Sequence, residues 1–325
     1  MFGDIKPGSA VAVGPAISQT FANGGYAQLK GVYSIRRFRL LQARYDTQRF
    51  WRGRALLSSR VRWQDAPKLP LYGLGSDSPA LRAKYDERKT SLNTALTMRL
   101  SPMFEIAAGA GVERYALSGG SIDSEDESLA AIPSVAGLAE HLWFLHTFVS
   151  AALNTHPGTY SRSGTEVDLA LHDYRDRHDG AFSFARLEAG ARRLVPFSSR
   201  SGVELSARTW ISATASGRSV PFFLMPTLGG GGTLEAFDLY RFRDRDAILL
   251  KGEYRRAVHD MIDVAAFYEA GTVAPAPRAF SLRRAAQSAG AGVIVHTPAA
   301  EVMRLDIAFG REGAGIAILF NVWGS

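Results

Sequence analysis

The chain reads as an all-β protein, a transmembrane antiparallel β-barrel of about 16 strands. Three observations predict this. Apolar and polar residues alternate in segment after segment, and strand side chains point to opposite faces with period two. Charged residues, arginine above all, recur on the polar face of those segments along the whole 325-residue chain. Short turns alternate with long loops, the rhythm of barrels that span an outer membrane. No run of about 18 apolar residues occurs, so no transmembrane helix is expected.

The elements follow in order. Ala10 to Thr20 is a small-residue strand, and Asn23-Gly24-Gly25 turns the chain into Tyr26 to Ile35. Phe38 to Tyr45 is next. In Arg54 to Gln64, Ala55, Leu57, Val61 and Trp63 oppose Arg54, Ser58, Arg60, Arg62 and Gln64. Pro67 to Pro79 reads as a loop. Leu81 to Leu100 is one long strand or a strand pair, and Ser101-Pro102 turns it into Phe104 to Leu117. An acidic loop, Ser118 to Ser128, follows. Pro133 to Leu153 is the least regular stretch, compatible with a strand or a short helix. Beyond the Pro157-Gly158 turn come strands at Thr165 to Tyr174, Phe182 to Pro196 and Gly202 to Ala213.

The stretch Leu228 to Gly271 holds a glycine run, a polar-aromatic loop and two clear strands. Ile248, Leu250 and Tyr254 oppose Lys251, Glu253 and Arg255. Ile262, Val264, Ala266 and Tyr268 oppose Asp263 and Glu269. Ala289 to His296, Val302 to Gly310 and Gly315 to Trp323 complete the series. Met303, Leu305, Ile307 and Phe309 oppose Arg304, Asp306 and Ala308, and Ile316, Ile318 and Phe320 share a face. Long loops fall at 118–130, 215–245 and 274–287. Fifteen candidates are legible, and a barrel with both ends on one side needs an even number, hence the expectation of 16.

Arginine on one face of strand after strand cannot be buried dry, because burying unpaired charge is costly. A wet lumen removes that cost. Trp51, Trp63, Trp143, Trp210, Trp323, Tyr72 and Tyr254 are candidates for interfacial girdles. A soluble barrel or two-sheet protein is the alternative. The net charge is +7, with a pI near 9.7. The basic residues are dispersed rather than gathered in a patch, so a nucleic-acid partner is not expected. There is no cysteine, which suits an exported protein. Met1 to Pro7 has no apolar signal core.

No chemistry of catalysis is legible. The run Gly229 to Gly232 lacks the Lys-Ser/Thr of a phosphate loop. The seven histidines have no metal-binding spacing, and no G-x-S-x-G occurs. Glu253 and Glu269 are paired carboxylates better read as lumenal ion-pair partners than as an acid and a base. The charge-dense run Asp173 to Asp179 reads as a solvated loop, with a divalent ion bridged to lipopolysaccharide as the sharper alternative. Neither an enzyme, a cofactor nor a metal is expected.

Several motifs together resemble the BamA/TamA-type barrel of the bacterial surface antigen superfamily. Val220-Pro221-Phe222-Phe223 precedes Leu228-Gly229-Gly230, and Leu234 to Phe237 precedes Tyr240-Arg241-Phe242-Arg243-Asp244. Glu253-Tyr254-Arg255, Phe267-Tyr268-Glu269-Ala270-Gly271 and Gly290-Ala291-Gly292 follow in the family's order. Tyr72-Gly73-Leu74-Gly75-Ser76-Asp77-Ser78 matches a family motif in the first half. The resemblance implies that loop 215–245 is a lid folded into the lumen, carrying Gly229, Gly230, Leu234, Glu235, Ala236, Phe237, Arg241 and Arg243. It implies a lumen wall of Glu253, Arg255, Asp263, Glu269, Arg304 and Asp306. It also implies a C-terminal barrel signal at Ile316, Ile318 and Phe320.

Two departures stand out. Glu235-Ala236 occupies the place of the family's Arg-Gly, which leaves Glu235 facing Glu253 or Glu269, with Arg241 or Arg243 as the candidate replacement cation. Phe148 and Val149 also stand where an acidic-arginine pattern is expected. The resemblance implies a single barrel domain over 1–325, without POTRA domains, in the bacterial outer membrane. Its expected partners are the lipid bilayer, lipopolysaccharide and client outer-membrane proteins, and the chain is expected to be a monomer. The implied role is outer-membrane protein insertion or translocation. The alternative is a passive pore or structural barrel without insertase activity.

Overall fold

The computed structural model describes residues 5–80, 82–119, 135–138, 141–156, 160 and 163–320. In chain order the strands are β1 (Ala12–Val13), β2 (Ala16–Thr20), β3 (Tyr26–Ser34), β4 (Arg39–Asp46), β5 (Ala55–Leu71) and β6 (Ala83–Arg99). Then come β7 (Phe104–Gly119), β8 (His141–Asn154), β9 (Gly164–Asp176), β10 (Phe184–Ser198), β11 (Ser201–Ala213), β12 (Thr227–Leu228) and β13 (Phe242–Arg243). The last five are β14 (Asp246–His259), β15 (Ile262–Ala274), β16 (Ala286–His296), β17 (Glu301–Gly310) and β18 (Gly313–Phe320). Sixteen of them form one sheet, antiparallel throughout; β12 and β13 make a separate small ladder inside the β11–β14 connection.

β1 and β2 share one neighbour. Val13 faces Tyr33 and Ala16 faces Lys30 in a single continuous register on β3, interrupted only by Gly14 and Pro15. The hydrogen-bonded path therefore has fifteen positions, and its edges are β1/β2 and β18. An odd number of antiparallel positions makes the two edges run in the same direction. β1 thus begins at the end of the barrel that carries the long loops, and β18 finishes at the other, where both ends were expected on one side. Among the described residues no ladder joins β1 or β2 to β18.

The inner face curls onto itself. Ser76, after β5, accepts a hydrogen bond from Val273 N on β15 at 3.0 Å. Tyr160, after β8, donates to Asp263 on β15 at 2.9 Å. Outward positions are apolar and exposed on strand after strand, among them Leu29, Leu41, Val61, Leu171, Leu205, Tyr268, Phe309 and Ile316. A soluble protein does not leave so continuous an apolar surface in water. Lipid is its proper solvent, which disposes of the soluble alternative.

Several local expectations change. β5 runs to Leu71 through the stretch read as a loop, because a bulge between Ala66 and Leu69 absorbs Pro67 and Lys68. Leu81 to Leu100 yields one strand rather than a pair. The irregular stretch is a strand, β8, preceded by a turn at 136–138. Most of the acidic loop, the Pro157-Gly158 turn and Trp323 lie outside the described residues. Tyr72 is no girdle residue: it is buried and donates to Asp238 at 2.9 Å. Trp210 also faces inward, against the core beneath the lid. Trp143 and Tyr254 do face outward.

Candidate functional site

The connection from β11 to β14 enters the barrel as a lid. Its path begins with a 3-10 turn at Phe222–Leu224, whose phenylalanines pack on Leu69, Leu71, Tyr85, Tyr115 and Phe144. The β12–β13 ladder then closes a compact bend. Gly229 and Gly230 have φ of 113° and 88°, a region open to glycine at little cost. Gly230 N donates to Phe237 O at 2.9 Å, so the glycine run folds the bend rather than leaving it loose. Leu228, Leu234, Ala236, Phe237 and Phe242 form a second apolar cluster with Leu249, Phe267, Val273 and Ala308. At about 1.5–3 kcal/mol for each large side chain buried, these two clusters hold the lid in place.

Two main-chain groups at the lid's tip dock on the wall. Glu235 N donates to Glu269 Oε2 at 2.9 Å, and Ala236 N donates to Ser288 Oγ at 3.1 Å. β18 is cleared to receive them: a Cβ on Gly315 would run into the Glu235 carbonyl oxygen. Gly290 and Gly292 face the lumen beside Phe267 and Asp306, where added carbons would also collide. These are the steric reasons for the glycines near the C-terminal edge.

The wall beneath is an ion-pair network. Arg304 grips Glu253 with both terminal nitrogens, at 3.0 and 2.7 Å. Arg255 also bonds Glu253, and reaches Glu204 at 3.0 Å. Arg304 further binds Asp306. Lys251 stands among three carboxylates, Glu235 at 3.3 Å, Glu269 at 3.3 Å and Glu253 at 3.4 Å. Glu235 is therefore not uncompensated, and its cation is Lys251 rather than Arg241 or Arg243. Glu235 Oε2 and Asp306 Oδ1 are both buried without a donor in the network. Burial raises the Glu235 carboxyl to about 8; Lys251 opposes the rise, while the neighbouring acids Asp306 and Glu269 support it.

The two lid arginines act elsewhere. Arg241 pairs with Glu312, in the turn before β18, at 2.8 and 2.9 Å, and donates to Ser78 Oγ at 3.0 Å. Arg243 donates to Phe222 O at 2.8 Å and lies over the rings of Tyr85, Phe222 and Tyr240. Between them Tyr240 OH donates to Pro7 O at 3.1 Å. The lid thus touches the segment before β1 through Tyr240 and the turn before β18 through Arg241.

Of the wall residues, Glu253, Arg255, Glu269, Arg304 and Asp306 come together under the lid. Asp263 stands apart, near His296 at 3.4 Å and Tyr160. Ile316 and Ile318 face lipid; the Phe320 side chain lies outside the described positions. Sequence reasoning missed Lys251, Ser288, Ser78 and Glu312 as partners. Lys251 was legible as an inward cation between two inward acids, but Glu312 sits in a turn and gives no periodic signal.

A curled antiparallel sheet with a lipid-facing exterior, a charged lumen and an internal lid defines an outer-membrane β-barrel. Its fold is of the BamA type. The chain is similar to BamA from Haemophilus ducreyi lacking POTRA domains 1-3, with a TM-score of 0.73 at 13% identity over 97% of this chain and 67% of that one. It is similar to CdiB from Escherichia coli, TM-score 0.55 at 12% identity, over 96% of this chain and 56% of that one. CdiB from Acinetobacter baumannii gives a TM-score of 0.55 at 10% identity, over 94% and 59%. The chain therefore spans less than two thirds of either CdiB. No family model matches the sequence, and no curated protein does.

Proposed function

We propose that this chain is a single-domain, non-enzymatic barrel that acts in the insertion or translocation of proteins at the outer membrane. The carrying observation is the seam. Among the described residues β1/β2 and β18 are edges without an outer partner, and an exposed edge is a template for another strand. Because the edges run in the same direction, a client strand antiparallel to one is antiparallel to the other. One added strand then pairs on both sides. The lid's contacts to both margins support a role for the seam, since they couple it to the lumen.

The test uses the absence of cysteine. Ile17→Cys on β2 and Ile316→Cys on β18 are joined by a bifunctional thiol reagent, and the protein is placed in liposomes. Unlinked protein is expected to speed the folding of an unfolded client barrel, and the linked form to lose that effect. Equal client folding with and without the unlinked protein would reject the insertion reading. A structural barrel is the second reading, favoured by Glu235-Ala236 at the lid's tip, and that result would leave it standing.

A further inference from the structure

Residues 5–8 run inside the barrel before the chain turns out to its first edge strand. Ile5 packs on the apolar cluster beneath the start of the lid and on a smaller cluster of Ala12, Val32 and Leu40. Lys6 donates from Nζ to Glu87 Oε2 on β6 at 2.6 Å, and Glu87 is buried. Ile5, Lys6 and Pro7 line a lumenal cavity of about 490 Å³ together with Glu87 and Tyr115 of the wall and Phe223 of the lid. The chain then reverses. Gly8 has φ of 97°, open to glycine at little cost, and Ala10 has φ of 57°, a left-handed region that alanine adopts at some cost. Ala12 begins the edge two residues later.

The same four residues are gripped by the lid. Tyr240 OH donates to Pro7 O at 3.1 Å. A Cβ on Gly8 would stand 2.9 Å from Leu239 Cδ2, and one on Gly230 would stand 2.8 Å from Leu239 Cδ1, so Leu239 fills the space between the segment and the glycine bend. From the other side Arg36 Nη1, in the β3–β4 turn, donates to Gly8 O at 3.1 Å. The segment therefore lies between the lid and the wall, with a charge-assisted bond near one end and hydrogen bonds to its carbonyls at the other. Its withdrawal would take an apolar side chain from both clusters and a cation from Glu87. The lid would lose a hydrogen bond and a packing surface.

We propose that Ile5–Gly8 is a strap that locks the lid: the lid stays docked while the strap is seated, and the lumen opens when the strap is withdrawn. Three residues, Ser9, Ala10 and Val11, join the strap to the edge strand, so displacement of β1 pulls on it directly. The seam and the lumen are thereby coupled through the covalent chain. The inference is independent of the insertion reading, since it needs only the barrel and its lid.

The test is single-channel conductance of the full chain in planar bilayers, with proteolysis within 214–245 as a second readout. The parent is expected to conduct little. In Ile5→Asp/Lys6→Glu the open probability should rise roughly tenfold, the effect of losing one charge-assisted bond, and proteolysis of the lid should quicken. Tyr240→Phe removes a single hydroxyl and should raise both by about threefold. Lys6→Arg keeps the cation and should behave as the parent does. Heat-modifiable gel migration checks that each variant folds, and Tyr240→Phe decides the matter if the double variant does not. Conductance equal to the parent's in the folded variants overturns the proposal. Conductance that rises while lid proteolysis stays at the parent's rate also overturns it, because the strap would then be a plug rather than a lock.

Discussion

The two walls that flank the seam solve the problem of lumenal charge in opposite ways. On the C-terminal side, β14 to β17 bury acids and bases together and cover them with the lid. On the N-terminal side, β3 to β5 gather Lys30, Arg44, Arg60 and Arg62 on one inward face, with Arg44 and Arg60 directly opposite each other. The first arrangement fixes a loop in one place. The second places like charges across a ladder, which costs local stability. Composition alone hides this contrast, because the chain's +7 charge says nothing about where the surplus lies.

The largest expected effect tests the buried wall. Glu253→Ala leaves Arg304 and Arg255 without their shared carboxylate, and breaking such a buried pair costs about 3–5 kcal/mol. The temperature at which the compact form is lost on heating in detergent should fall sharply. A fall no larger than that of a surface variant would break the comparison. Arg241→Ala comes next, because it removes charge-assisted bonds of about 1.5–3 kcal/mol each to Glu312 and Ser78. Faster proteolysis within 214–245, with the barrel intact, is the expected readout.

Gly315→Val should push the lid from β18 by overpacking, at about 1–3 kcal/mol. Single-channel conductance should rise in that variant and stay low in the parent. Acidity sharpens the picture further. Glu235 holds its proton to about 8 when docked but only to the ordinary carboxyl range when undocked. The docked form binds more protons between those limits, so docking should weaken as pH rises through that window. Proteolysis of the lid should then quicken from pH 5 to pH 8 in the parent and become nearly flat in Glu235→Gln. The smallest effect belongs to the N-terminal wall. Arg44→Gln relieves the facing Arg60 and should change thermal stability by less than about 1 kcal/mol. A large loss there would mean that the cations are as tightly built in as the network opposite.

Much of the fold was legible because lipid and lumen impose a strict period of two. Glu253, Glu269, Arg304 and Asp306 were assigned inward from alternation alone, and all four meet under the lid. What alternation cannot give is which inward residue meets which. Lys251 among three acids depends on the register of β14 on β15, and Arg241 finding Glu312 depends on a loop folding across the barrel. Proline misled at Pro67, which looked like the start of a loop and lies in a bulge within a strand. Trp210 and Tyr72 looked like girdle aromatics because their chemistry suits an interface, but enclosed volume beneath the lid needed filling.

The single register of β1 and β2 on β3 sets the length of the free edge, and Gly31 N still donates to Pro15 O at 3.1 Å across the Gly14-Pro15 step. From Ala12 to Thr20 that edge extends about 30 Å along the strand. A crossing of hydrocarbon takes about 9–11 strand residues. This margin therefore has the length of one membrane crossing, and a strand laid against it could pair from one boundary of the bilayer to the other.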